Sequence, residues 1–320
     1  MNWQNGHMKE DSMVKFSKRQ VNGLEVLSGE NNDIRFEMVP ALGGKLTSVF
    51  NKKLQKEFLW HNRGLALAEN SAGDDYDSNF WGGIDELLPN DIPEIVDGID
   101  YPDHGELWTT RLEYTLADDH VSVFGQLPKS NLFYAKTVSL LEGSGIKLEY
   151  QIVNRAERRR HFLWKLHAAL HIEPGDRLES PAIKARVVYP QSSRFGNQDE
   201  FNWPMIEGMD AALVPAKDNT MDFFYLYDLP ESHMSLVSDE GNHRFTYRYD
   251  GAIFPYQWYF ASYGQFRNHY TAILEPASAM PVSVNEAAAL GQCSVLEPGE
   301  ALHTVVTIHA GATNEINKRK

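Results

Sequence analysis

The chain has 320 residues, of which 42% are hydrophobic and 23% charged, the balance of a folded globular protein and not of a disordered one. Its formal net charge of −14 argues against a nucleic-acid partner, and no run approaches the ~18–20 apolar residues of a membrane-spanning helix. A single cysteine, Cys293, has no partner for an internal bridge, which fits a reducing, cytoplasmic setting.

Residues 1–18 are polar and mixed in charge, without an apolar stretch, and read as a lead-in and not as a signal peptide. Alternation with period two then dominates. It predicts strands at Leu24 to Leu27, Ile34 to Val39, His120 to Phe124 and Ala135 to Leu141. In the next strand, Ile146, Leu148, Tyr150 and Ile152 alternate with Lys147, Glu149 and Gln151. Asn154 to Arg160 is a polar turn, so Arg158-Arg159-Arg160 reads as a solvated charge run. A cleaner alternation follows, with Trp164, Leu166, Ala168, Leu170 and Ile172 on one face and Lys165, His167, Ala169, His171 and Glu173 on the other. Pro174-Gly175-Asp176 ends it. Further strands are expected at Phe223 to Tyr227, Met234 to Val237, Phe245 to Tyr249, Thr271 to Leu274 and Thr304 to His309. Helical periodicity is thin, with one short candidate at Glu286 to Leu290. Many short strands between turns predict an all-β sandwich, as one domain over 19–314 with a tail at 315–320.

His167 and His171 invite a zinc reading, but on a strand four residues span about 13 Å, too far for two ligands with bonds near ~2 Å. Asp74-Asp75-Tyr76-Asp77 lacks the glycine and terminal glutamate of a calcium loop, so a solvated acidic loop is the expectation. Trp81-Gly82-Gly83-Ile84 places paired glycines where backbone approaches closely or φ is positive. Tyr101-Pro102-Asp103-His104-Gly105 is a turn that holds a histidine stiffly. Thr271-Ala272-Ile273-Leu274-Glu275-Pro276 reads as an apolar strand ending in a carboxylate, and partial burial there would raise its pKa toward that of a working base. Trp258 could stack on a ligand ring, and Asn90, Asp85 and Glu86 could form hydrogen bonds to a bound ligand.

Gly82-Gly83-Ile84, His104-Gly105, His167, Leu274-Glu275-Pro276 and Pro298-Gly299-Glu300, taken in this order, resemble the aldose 1-epimerase (galactose mutarotase-like) superfamily across most of residues 20–311. The resemblance implies a large antiparallel β-supersandwich with few short helices, a small-molecule carbohydrate as partner, and no metal or cofactor. By position it makes Glu275 the general base, His167 the acid and His104 a second histidine at the sugar, with His171 a competing candidate for the acid. Two departures stand out. Leu166 precedes His167 where galactose-specific members have asparagine, and Glu106-Leu107-Trp108 follows the His-Gly pair where hexose-phosphate members have arginine. The rival expectations are a carbohydrate-binding protein without turnover and a lyase or hydrolase using Tyr256 or Asp85. The substrate and oligomeric state are not legible at this level.

Overall fold

A computed structural model of the chain describes residues 14–196 and 200–316. The alternating segments pair into two large sheets, antiparallel throughout. One has 12 strands in the order Lys15–Val21, Leu24–Glu30, Ile34–Val39, Lys45–Asn51, Ile84–Leu87, Lys165–Leu170, Tyr270–Ala277, Tyr256–Tyr263, Thr220–Tyr227, Lys184–Val187 and Phe201–Asn202, with Lys56–Glu57 beside Lys45–Asn51. The other has eight: Arg177–Glu179, His233–Val237, His243–Arg248, Ala301–Ala312, Gly145–Asn154, Leu132–Leu140, His120–Gln126 and Glu113–Leu116. Among the described residues the helices are short: Tyr76–Asn79, Val284–Ala289 and Thr313–Ile316. Among the described residues no helix is long and apolar enough to cross a membrane.

The period-two pattern explains the layering. Ile146, Leu148, Tyr150 and Ile152 point inward from the smaller sheet and join Phe36, Leu46, Leu166 and Tyr259 of the larger one in a single apolar core. Each such side chain contributes about 1.5–3 kcal/mol by leaving water. That core also encloses an ion pair. Lys136 Nζ lies 2.7 Å from Glu86 Oε2, Tyr150 Oη donates to Glu86 Oε1 at 2.7 Å, and Lys136 also donates to the Gly44 carbonyl at 2.7 Å. Glu86 is therefore an interior structural carboxylate, fully partnered, and does not reach a sugar.

Several expectations shift against this frame. The first strand starts at Lys15, inside the anticipated lead-in, and pairs with Leu24–Glu30; residues 1–13 lie outside the described residues. The helix Thr313–Ile316 crosses the anticipated boundary at 314, and residues 317–320 lie outside the described residues. The acidic cluster begins a helix: Asp75 caps Tyr76–Asn79 by accepting from the Ser78 backbone N–H at 2.7 Å. Arg160 is buried and donates to the Ser130 carbonyl at 2.8 Å, so the arginine run is solvated only in part. Alternation ranks residues by face but cannot tell whether a polar face meets water or another part of the same chain.

Candidate active site

Register brings the key residues into one row. On the strand Lys165–Leu170, His167 pairs with Asp85 on one side. On the other side Lys165 pairs with Ala277 and Ala168 with Leu274, which sets His167 opposite Glu275. Glu275 pairs with Trp258, and Trp258 with Tyr225. Directly opposed residues of antiparallel strands share a face, so Asp85, His167, Glu275, Trp258 and Tyr225 run across the sheet on the side away from the core. Two residues further along each strand the same face carries Ala169, Ile273, Phe260 and Phe223. Glu275 is not a strand end. The strand runs to Ala277, and Glu275 is buried, 2% exposed, within it.

Two loops close over this face. Gly83 has φ +82, and a Cβ there would sit 2.6 Å from the Leu46 carbonyl oxygen. Gly105 has φ +77, with the Leu88 carbonyl oxygen 2.3 Å from its would-be Cβ. Only glycine fits both the dihedral and the space. His104 beside it is also left-handed, φ 56, and its backbone N–H donates to Asp91 O at 2.7 Å. His104 stacks on Tyr76 with ring centroids 4.1 Å apart and planes 10° apart. The result is a cavity of about 410 Å³ in which Glu275, His167, His104, Lys165 and Asp91 face Phe80 and Phe260. Its size is that of a small-molecule site.

The other candidate residues fall elsewhere. Asn90 is fully buried and spends its amide on the Ile92 and Pro102 carbonyls, each at 2.7 Å, which ties down the loop that carries His104. Asp85 lies behind the cavity wall, accepting from Tyr76 Oη at 2.9 Å and meeting Lys45 Nζ at 3.2 Å. Trp258 is fully buried, donates to Ala279 O at 2.9 Å, and has Lys165 Nζ 4.4 Å from its ring centroid, so it supports the site from beneath and cannot stack on a ligand. His171 is exposed past the end of its strand and belongs to a neighbouring groove. Tyr256 does not line the cavity. Burial and hydrogen bonding account for three of these: Asn90 is sealed with its amide N–H groups spent on the loop, Asp85 is paired internally, and Trp258 is covered.

Electrostatics divides the site residues by charge. Burial drives the Glu275 carboxyl up to about 7, against the pull of Lys165. Burial also drives His167 well below the usual imidazole range, helped by Lys165, His104 and Lys45, so it is neutral. Burial opposes the charge on His104 too, but Asp103 and Asp91 outweigh it and hold this imidazole above its ordinary value. Asp103 Oδ1 lies 3.0 Å from His104 Nδ1 and Asp91 Oδ1 3.9 Å from Nε2. The tautomer of His167 follows from its neighbour. Tyr76 gives its one hydroxyl proton to Asp85, so its 3.3 Å contact with His167 Nδ1 places a proton on that nitrogen and leaves Nε2 as an acceptor.

Lys165, Asp91 and Tyr76 were not anticipated as site residues. Lys165 had a readable signal, since it alternates onto the same face as His167. Asp91 and Tyr76 sit in loops whose positions no periodicity fixes.

No protein-family model matches the chain, and no curated protein does. Solved structures do. A candidate aldose 1-epimerase from Klebsiella pneumoniae superposes with a TM-score of 0.71 at 14% identity, covering 95% of this chain and 85% of that one. A galactose mutarotase-like protein from Clostridium acetobutylicum gives a TM-score of 0.70 at 14% identity, covering 93% and 99%. A galactose mutarotase related enzyme from Lactobacillus acidophilus gives 0.66 at 13%, covering 90% and 98%. The chain has the galactose mutarotase-like fold. The cavity is a cleft on the outer face of the larger sheet, and of the row from Asp85 to Tyr225 it is His167 and Glu275 that lie on its floor.

Proposed function

We propose that the chain is an isomerase of the aldose 1-epimerase type, interconverting the α and β anomers of a free sugar or sugar derivative. The observation that carries the reading is the gathering of Glu275, His167 and His104 around one cavity on the cleft floor. Mutarotation needs a base at the anomeric hydroxyl and an acid at the ring oxygen, both operating near neutral pH. A carboxyl brought to about 7 is a suitable base. It takes the hydroxyl proton as the C1–O5 bond breaks, while an imidazolium gives a proton to O5. The free aldehyde turns about C1–C2, and reclosure runs both transfers backward, restoring both groups. The resemblance makes His167 the acid and His104 the holder. The electrostatics favour the reverse division, because His104 is the imidazole whose pKa is raised by Asp103 and Asp91, and His167 Nε2 is an acceptor for a sugar hydroxyl. Phe80 and Phe260 supply apolar rings for the C–H face of a pyranose.

Binding without turnover is the second reading. The observation that favours it is Lys165, whose ammonium beside Glu275 weakens the carboxylate as a base. Saturation-transfer NMR on a panel of reducing sugars separates the two. Accelerated anomer exchange that Glu275→Gln abolishes supports the enzyme. Calorimetric binding with exchange no faster than buffer supports the binding protein. A Glu275→Gln variant as fast as the wild type removes Glu275 from the mechanism.

A further inference from the structure

Beside the cavity lies an open groove of about 800 Å³, and the two share Asp77 and His269 as a common wall. Their charges differ. The cavity presents four carboxylates, on Asp77, Asp91, Asp103 and Glu275, against Lys165 and His104. The groove presents Arg63, Lys217 and Arg267 against Asp77 alone. In a chain with a formal net charge of −14, such a patch of permanent cations runs against the average field.

Most of that positive charge is not neutralised within the fold. Among the described residues Lys217 meets only a backbone carbonyl, donating to Asn268 O at 2.9 Å. Arg267 reaches Ser78 Oγ at 3.1 Å and stands 3.5 Å from the exposed carboxylate of Asp75. Arg63 is exposed at the groove's rim. The field is felt by the groove's histidines. Burial pulls His269 below its ordinary value, with Arg267 and Lys217 adding to the effect. Burial, His61, Lys56 and Arg63 bring His171 to about 4. Both rings are therefore neutral donors or acceptors.

The junction has features of a ligand site. His269 is 9% exposed, and its Nδ1 finds no hydrogen-bond partner among the described residues. Its ring packs against Trp60 with centroids 4.8 Å apart, and Trp60 stacks on Phe80, which lines the cavity. An aromatic path thus leads from the cavity into the groove, and a chain of sugar rings is a ligand that can follow it.

Resting on the reading of the cavity as a sugar site, we propose that the groove is a second subsite, which takes an anionic group (carboxylate, sulfate or phosphate) carried on the second unit of a saccharide whose reducing end occupies the cavity. The carboxylate-rich cavity disfavours an anion next to Glu275, whereas Arg63, Lys217 and Arg267 favour one a sugar unit away.

The test uses a neutral reducing disaccharide and its counterparts bearing a carboxylate, a sulfate or a phosphate on the non-reducing unit. Binding is measured by calorimetry on the full chain and on Arg63→Gln/Lys217→Gln, whose two side chains are exposed and form no ion pair among the described residues. At least one anionic compound should bind about tenfold more tightly than the neutral one, and the double variant should reduce that ratio toward one. Raising the salt should shrink the ratio for the wild type as well. Equal affinities for neutral and anionic compounds in the wild type, or a ratio that survives both the double substitution and high salt, would overturn the subsite. Anomer exchange is followed separately on the same compounds. A charge-dependent binding ratio without exchange therefore sinks the isomerase reading and leaves the groove standing, while exchange without the ratio does the opposite.

Discussion

Lys165 Nζ stands 2.6 Å from Glu275 Oε2 and, on its other side, 2.6 Å from Asp91 Oδ1. All three side chains are nearly sealed from water. Both contacts are at charge-assisted hydrogen-bond distance, so charge and hydrogen bonding act together on the ammonium. Burial pulls against the ammonium, but the two acids together outweigh it and hold Lys165 above its usual range. The same cation limits how far burial can raise Glu275. It links the loop bearing Asp91 to the strand bearing Glu275, and so connects folding to the tuning of the proposed base.

Lys165→Met should therefore act on stability and on pH response together. Removing the cation leaves two buried carboxylates unpaired, at a cost of about 3–5 kcal/mol. Urea denaturation reads the stability. The rising limb of the rate profile should move above pH 7 because Glu275 loses its stabilising charge. A variant within ~1 kcal/mol of wild type would show that the pair does not hold the site together.

The pH dependence of kcat/KM should be bell-shaped about neutrality. Glu275 acts as base only when ionised, so activity climbs as pH rises through about 7. His104 acts as acid only when protonated, and its raised pKa puts the falling limb above 6.5. An acid at His167, which is held well below 6.5, would be deprotonated before the base ionised, and the maximum would be strongly depressed. His104→Gln should abolish the falling limb and His167→Gln should keep it; the opposite pattern returns the acid role to His167.

Glu275→Gln should slow anomer exchange by about 10²- to 10⁴-fold, the usual loss for a general base. Its effect on stability should depend on pH, with a sign set by burial. The folded state raises this carboxyl from 4.5 to about 7, so wild type loses stability as pH rises across that window. The amide removes this burden. Its melting temperature relative to wild type should be higher at pH 8 than at pH 4, and a difference that is flat or inverted contradicts the burial argument.

Gly105→Ala should destabilise by more than ~2 kcal/mol and displace His104, because the added methyl meets the Leu88 carbonyl at a left-handed position. Gly23→Ala is the control. It shares a positive φ of 83 but has nothing within 4 Å of the added atom, so its penalty should stay near ~1 kcal/mol. Chemical denaturation of both variants compares steric clash with backbone strain, and equal penalties would remove the clash from the account.

Sequence alone determined the sandwich. Period-two alternation reports which residues share a face, and it gave Ile34–Val39 with its observed bounds and Gly145–Asn154 to within a few residues. The same alternation put His167 on the opposite face from Leu166, and the turn residues Gly83 and Gly105 were legible because positive φ and close backbone approach leave a local chemical mark. Tertiary structure decided what the polar face meets. His167 and Lys165 could have faced solvent, yet loops more than fifty residues upstream, carrying Tyr76, Asp91 and His104, cover them. It also decided which polar side chains remain free for chemistry. Asp85 and Glu86 are used up by internal partners and Asn90 is sealed from the cavity, while burial brings the Glu275 carboxyl up to about 7. Neither outcome has a local signature, since burial and pairing depend on strands and loops brought together from distant parts of the chain.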